Sequence, residues 1–204
     1  MEAEELAFRM AGPVPEIENS GDAELSVQIL KRAIAGDRVA FDQIILRYER
    51  RVFVTALRLL DRKEDAQDAA QEVFLRLFRF MHRFDEKRDL LPWLYRMTIN
   101  VCHDLHRRRY RGERLRVEEV IAANIAFDPV REIVRLERRQ IIGLALRTLT
   151  EKERAAIVLR DIEGLSTKEV AAILGSSETT VRSQISLARV KIKQFVDSFQ
   201  KRQP

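Results

Sequence analysis

Ser166-Thr167-Lys168-Glu169-Val170-Ala171-Ala172-Ile173-Leu174-Gly175-Ser176-Ser177-Glu178-Thr179-Thr180-Val181-Arg182 decides the fold class of this chain. Ser166 and Glu169 have capping-box spacing, in which each side chain satisfies the other residue's free backbone N–H. A short helix follows with Val170, Ala171 and Leu174 facing inward, and Gly175 permits a tight turn. A longer helix then runs from about Ser177 to Phe195, with Val181, Ile185, Ala188 and Ile192 on its buried side. Its other face carries Glu178, Thr179, Thr180, Arg182, Ser183, Ser186, Arg189 and Lys193. This is the layout of a helix-turn-helix, whose second helix enters the DNA major groove with its N-terminal residues near base edges. Arg182 suits a bidentate pair with guanine, and Arg189 and Lys193 suit phosphate. The bland alternative is an ordinary helical hairpin. Two good caps and a basic outer face weigh against it.

Upstream, Thr150-Glu151-Lys152-Glu153 repeats the capping-box logic, and Gly164 closes the helix it opens. Asp128-Pro129 starts an earlier helix that spans Val130 to Arg147. These elements define a C-terminal unit over 129–204. The stretch from Arg111 to Phe127 lacks a sustained apolar face, so 111–128 reads as a flexible linker. Before it lies a helical unit over 23–110. Leu25, Leu30 and Ile34 form one apolar face, Gly36-Asp37 breaks it, and Phe41, Ile44, Ile45, Tyr48, Val52 and Leu59 continue at helical spacing. A third helix from about Lys63 to Phe80 buries Ala66, Ala69, Ala70, Val73, Leu77 and Phe78. Asp85 to Asp89 is a loop, and Pro92 suits the first turn of a helix ending near Arg109. The expected fold is all-α: two small helical domains joined by a flexible linker, the second a helix-turn-helix.

With 204 residues the chain has room for two small cores, and 46% hydrophobic residues can fill them. A net charge of +5, concentrated in Arg107 to Arg116 and Arg182 to Lys193, favours a polyanionic partner. The single cysteine, Cys102, excludes an internal disulfide and fits a reducing cytoplasm. No apolar run reaches the length of a membrane span, so direct membrane insertion is not expected. Residues 1–22 carry Pro13 and Pro15 without the basic and apolar regions of a signal peptide, and read as a flexible tail.

Two features of the N-terminal unit bear on function. On the third helix, Asp61, Glu64, Asp65, Asp68 and Glu72 fall mostly on one face. Three readings fit: a solvated acidic face, a docking face for a basic protein, or a divalent-metal site as in helical nucleotide pyrophosphatases. The metal site needs a second acidic pair on a facing helix, and Glu118-Glu119 lies in the linker. The next helix joins Trp93-Leu94-Tyr95 to Arg107-Arg108-Arg109, aromatic planes suited to stacking on unpaired bases and guanidinium groups suited to phosphate.

Asp65-Ala66-Gln67-Asp68-Ala69-Ala70-Gln71-Glu72-Val73-Phe74, followed by Trp93-Leu94-Tyr95-Arg96 and Asn100, strongly resembles bacterial sigma factors. The resemblance is to the extracytoplasmic-function (ECF) group of the sigma-70 family and covers about residues 24 to 196. It implies a promoter-directed initiation factor with no catalysed reaction and no cofactor. Its acidic helix would dock on the β′ clamp helices of core RNA polymerase through Asp65, Asp68, Gln71, Glu72 and Phe74, with Phe74 equally suited to the core. The Phe80 to Leu91 loop, including Phe84, matches the segment that captures a flipped base of the −10 element. Arg76, Asn100 and Asp104 match positions along the single-strand path, and Arg107 and Arg108 suit its phosphates. Asp104 is unusual beside phosphate and suits orienting Arg107 or Arg108. Trp93 is assigned to the core.

The resemblance further implies that the helix-turn-helix reads the −35 element of promoter DNA and docks on the β flap tip. Gln184 and Leu187 depart from the family pattern, where arginines are common. Family members are commonly held inactive by an anti-sigma partner. The leading alternative is a stand-alone helix-turn-helix regulator. His103 and His106 lie three apart, but no ligand set for zinc accompanies them. A DNA-backbone contact or a polar face is expected for them, and a small buried residue for Cys102.

Overall fold

In the computed structural model, which describes residues 27–85, 88–112 and 141–201, every described element is helical. Helices α1 (Val27–Ile34), α2 (Arg38–Leu60), α3 (Lys63–Phe80) and α4 (Leu90–Gly112) build the N-terminal unit. A 3₁₀ turn at Met81–Arg83 leads out of α3. The C-terminal unit contains a helical segment at 141–147 (α5), α6 (Glu151–Ile157), α7 (Thr167–Leu174) and α8 (Glu178–Gln200). The expected tail, most of the linker and the start of the 130–147 helix lie outside the described residues.

Asp37 starts α2 as its N-cap, accepting from the Val39 and Ala40 backbone N–H groups at 2.9 and 3.3 Å. The core of the N-terminal unit forms where α2, α3 and α4 pack together. Ala40, Ile44, Ala56, Ala66, Ala69, Val73 and Leu77 are all fully buried there. The alanines let backbones approach closely, while Ile44 and Leu77 fill the space between them. Leu90, Leu94, Thr98 and Val101 supply the α4 side, and the Thr98 hydroxyl donates to the Leu94 carbonyl at 2.8 Å. Helix α4 extends to Gly112, slightly beyond the expected end near Arg109. Trp93 is buried, as expected of an anchor, with the Phe84 ring stacked on it at 5.1 Å.

Some side chains depart from the expected stripes, and Ala70 and Ile192, expected inward, are only partly buried. Phe78 is 55% exposed instead of buried, its ring edge-on to Phe41 at 5.1 Å. It lies at the rim of the α3 stripe, where Phe41 of α2 meets one edge of the ring. On α7, Ile173 is buried and Leu174 only partly so, because the chain turns away at Gly175.

Both capping boxes form. In the first, Glu153 accepts from the Thr150 N–H at 2.9 Å and the Thr150 hydroxyl accepts from the Glu153 N–H at 3.4 Å. The second pairs Ser166 and Glu169 at 2.5 and 3.2 Å. Helix α6 widens into a π turn at Val158–Ile162 before Gly164 ends it, a detail that the sequence pattern does not announce. Gly175 has φ +61°, a left-handed cap that costs an L side chain conformational energy. Lys191 of α8 donates to both Glu153 carboxylate oxygens at 2.8 Å, tying the long helix to the start of α6.

The two units are in contact. Helix α4 packs against α7, and α2 meets α6 and the π turn.

Candidate nucleic-acid interface

The outward face of α8 is laid out as its sequence predicts. Val181, Ile185 and Ala188 are buried. Thr179, Thr180, Arg182, Ser183, Ser186, Arg189 and Lys193 are exposed, and Glu178 is half-buried. The Ser177 hydroxyl caps the helix by accepting from the Thr180 N–H at 3.1 Å. The first-turn side chains are therefore held on an ordered N-terminus, where a major-groove reader needs them. Arg182 is steadied by Glu178 at 2.7 Å. Arg189 makes a two-point contact with Asp161, at 2.9 and 2.7 Å. Leu187 and Val190 stand out from the helix, each 52% exposed, and add an apolar strip suited to thymine methyl groups. Gln184 instead turns inward, its Oε1 buried and without a hydrogen-bond partner.

The acidic face of α3 divides into two parts. Glu64 and Asp65 lie in the first turn, where the helix dipole favours negative charge, so a local structural reason suffices for them. Asp68, Gln71 and Glu72 lie beyond that turn. Asp68 and Gln71 are exposed, and they share the outer surface of the helix with exposed Leu75 and Phe78. The face is therefore mixed acidic and apolar, as suits protein docking. Leu75 carries no signal in the sequence, and the helical periodicity places Phe78 in the core. Phe74 is buried, so its role in any docking is to shape the surface from beneath.

Arg76 joins this face to α4. Its Nε donates to Glu72 at 2.7 Å, and its terminal nitrogens reach Asp104 at 3.3 and 3.4 Å. The Arg76 side chain is only 15% exposed. Asp104 thus pairs with Arg76 and not, as the sequence suggested, with Arg107 or Arg108, which are exposed. Asn100 is half-buried one turn earlier on α4. Phe84, against Trp93, is half-buried at the mouth of the loop leading to α4.

His103 and His106 face the C-terminal unit. His106 Nδ1 pairs with Glu151, and His103 Nε2 lies 3.9 Å from the same carboxylate. Burial lowers the His103 pKa, partly offset by Glu151. No group of His, Cys, Asp and Glu able to hold a metal ion occurs among the described residues. Cys102 is buried, and burial pushes its thiol up to about 12, so it is a packing residue with little thiolate character.

These shifts set an expected acid response. The hydrogen bond from Arg189 holds Asp161 below its ordinary carboxylate value. Burial pushes Glu153 up, but hydrogen bonds from Lys191 and Thr150 bring it below its ordinary value. His103, Asp161 and Glu153 all have lower pKa values folded than unfolded, so each binds protons more readily when unfolded. Their contribution is present above the unfolded pKa and is lost as pH falls. The melting temperature is expected to fall in two steps on acidification. The first lies below about pH 6.5 from His103, and the second below about pH 4.5 from the carboxylates. Scanning calorimetry across that range checks this, and a flat profile would contradict the cited pairings.

A mixed acidic and apolar helix face on one unit and a capped helix-turn-helix with a basic outer face on the other have the layout of a two-unit nucleic-acid-binding protein. Known proteins carry the same combination. Residues 44–112 match the model of Sigma-70 region 2, and residues 139–192 match Sigma-70, region 4. The RNA polymerase sigma-H factor of Pseudomonas aeruginosa is 31% identical over 180 residues, covering 83% of this chain and 92% of that protein. The ECF RNA polymerase sigma factor SigM of Mycobacterium tuberculosis is 31% identical over 186 residues, covering 91% of this chain and 92% of that protein. The solved structure of CnrH in complex with the cytosolic domain of CnrY is similar at a TM-score of 0.65 and 27% identity, covering 86% of this chain and 99% of that one. The chain belongs to the sigma-70 family, in its ECF group. It binds core RNA polymerase and promoter DNA and directs initiation to promoters. The pair of matched regions, in this order, sets it apart from a stand-alone helix-turn-helix regulator.

Proposed function

We propose that residues 23–110 dock on core polymerase and melt the −10 element, and that residues 129–204 read the −35 element. The observation that carries this division is the separation of surfaces: the acidic and apolar outer face of α3 and the Thr- and Arg-rich face of α8 lie on different units. Asp65, Asp68, Gln71 and Glu72 form the docking face for the β′ clamp helices, with Leu75 and Phe78 adding apolar contact. Phe74 supports the face from beneath. The helix-turn-helix unit docks on the β flap tip.

At −10, the Phe84 loop receives an unpaired base and Asn100, with both donor and acceptor, reads a base edge. Arg107 and Arg108 hold phosphate, and Arg76 acts by fixing Glu72 and Asp104. Unstacking costs a few kcal/mol, least at flexible steps, and stacking returns roughly 1–3 kcal/mol per base. At −35, Glu178, Thr179, Thr180, Arg182, Ser183 and Ser186 face the bases, while Arg189 and Lys193 hold phosphate. The protein itself catalyses no reaction and acts in the cytoplasm; among the described residues no helix is long and apolar enough to cross a membrane. The likeness to CnrH, solved in complex with the cytosolic domain of CnrY, supports a protein partner for this chain besides polymerase, which we take to be an anti-sigma factor.

Run-off transcription with purified core polymerase tests the whole assignment: specific starts are expected only when both proteins are present. Tight operator binding without core, and no transcription with it, would overturn the assignment. A finer test separates base reading from phosphate contact. Arg182→Ala is expected to cost about 1–3 kcal/mol and to relax preference at one base pair. Lys193→Ala is expected to weaken binding evenly across sequences and to lower the salt-dependence slope by about 1.

A further inference from the structure

The exposed side of α8 is divided into two adjoining strips. Val181, Ile185 and Ala188 are buried, and the helical repeat sets Thr179, Ser183, Ser186, Leu187 and Val190 opposite them, all exposed. The cations lie to one side of this outer strip. Arg189 follows Arg182 by seven residues and Lys193 follows Arg189 by four, so the three share a flank. Two of them are held there by carboxylates of the same unit, Arg182 by Glu178 at 2.7 Å and Arg189 by Asp161 at 2.9 and 2.7 Å. Of the described residues between Arg182 and Arg189, Ile185 and Ala188 are buried, Gln184 turns inward, and Ser183 and Ser186 are short. Leu187 is left as the long side chain of the outer strip, and Val190 stands beside it one turn on.

We propose that Leu187 is a specificity-determining residue of the −35 reader: it packs on the C5-methyl group of a thymine in the major groove, with Val190 extending the contact from the next turn. This deepens the assignment of α8 to the −35 element and rests on it. The apolar strip is continuous with a flank of three cations on one helix, and duplex DNA is the partner that satisfies both together. Phosphates take the cations, and the groove between the backbones takes the strip. The short side chains of Ser183 and Ser186 let the helix seat closely, which brings Leu187 to the base edges.

The chemistry of Leu187 limits what it reads. It has no donor or acceptor for the hydrogen-bonding edges of guanine or adenine. Thymine presents a methyl group in the major groove, and an apolar side chain gains by covering it. Cytosine presents the N4 amino group instead. Leucine set against that donor strips its water and returns no hydrogen bond, so cytosine is rejected and not merely tolerated. The arginine common at this position in the family has the opposite chemistry, since a guanidinium pairs with guanine O6 and N7.

The test uses the full chain assembled with core polymerase. Selection of bound duplexes from a randomised pool gives the preferred upstream element, and each thymine in it is then replaced singly by deoxyuridine. That replacement removes the methyl group and leaves base pairing unchanged. At one thymine the deoxyuridine duplex is expected to bind about fourfold more weakly, the equivalent of about 0.8 kcal/mol for one buried carbon. The cytosine duplex is expected to bind roughly tenfold more weakly. Leu187→Ala is expected to bind the thymine and deoxyuridine duplexes equally while keeping the salt dependence set by the cationic flank. Leu187→Arg is expected to move the preference at that position to guanine. Leu187 is 52% exposed, so neither variant disturbs the core, and circular dichroism checks the helices. An element in which no thymine responds to methyl removal overturns the contact, as does a response that survives in Leu187→Ala. Weakened core binding by Leu187→Ala with unchanged DNA preference makes the strip a protein contact, and overturns the proposal too. A pool that yields no upstream element overturns the −35 assignment itself, and the methyl contact with it.

Discussion

Replacing Asp68 with lysine is expected to abolish core-dependent transcription while leaving the fold intact. Asp68 is exposed beyond the first turn of α3, so neither the helix dipole nor the core depends on it. The same outer face carries acidic Glu64, Asp65 and Glu72, polar Gln71, and apolar Leu75 and Phe78. Such a surface fits a basic partner with apolar contacts, and a reversed charge at its centre sets like charges against each other. Like-charge juxtaposition in an interface costs several kcal/mol. A loss of about 3–4 kcal/mol lowers core affinity more than a hundredfold. Asp68→Asn, which removes the charge without reversing it, is expected to fall between. Co-purification with core polymerase and run-off transcription read the effect directly, and circular dichroism checks the helices. Full activity of the lysine variant would remove α3 as the docking element, even if the chain remained an initiation factor.

Leu77→Ala is expected to destabilise the N-terminal unit strongly. Leu77 is fully buried where α2, α3 and α4 pack together, on the same buried stripe of α3 as Ala66, Ala69 and Val73. Close-packed helices move in only partly to fill the gap, so the lost transfer energy is joined by a cavity cost. Substitutions of this kind cost roughly 2–5 kcal/mol. For a chain of this size that corresponds to a fall in melting temperature on the order of 10 °C. Phe78→Ala, predicted from the periodicity to be comparable, is instead expected to cost little stability, because more than half of Phe78 is exposed. It should weaken core binding. Thermal melts of the two variants side by side separate the alternatives.

Phe78 shows where sequence periodicity stops being informative. The repeat on α3 identifies the buried stripe, and Ala66, Ala69, Val73 and Leu77 lie in it as expected. At the edge of a stripe, however, burial depends on which neighbouring helix covers that edge, and at what distance. Leu174 and Ile173 illustrate the same limit at a helix end, where the turn at Gly175 rather than the repeat chooses the inward residue. Caps were more legible. Thr150 with Glu153 and Ser166 with Glu169 are local hydrogen-bonding chemistry, complete within a few residues, and both boxes form.

By itself, the sequence determined the helical class, the two-unit division, the recognition face of α8 and the family, because caps, helical periodicity and motif spacing are all encoded over short distances. The tertiary structure alone decided which charges meet. Asp104 found Arg76 rather than the adjacent arginines, His106 found Glu151, and Glu163 found partners on the other unit. A side chain at the end of a flexible stem chooses among many charges within reach, and the choice depends on how helices far apart in the chain are set against each other. For Glu163 and Arg58 that separation is 105 residues, beyond anything that local spacing can report.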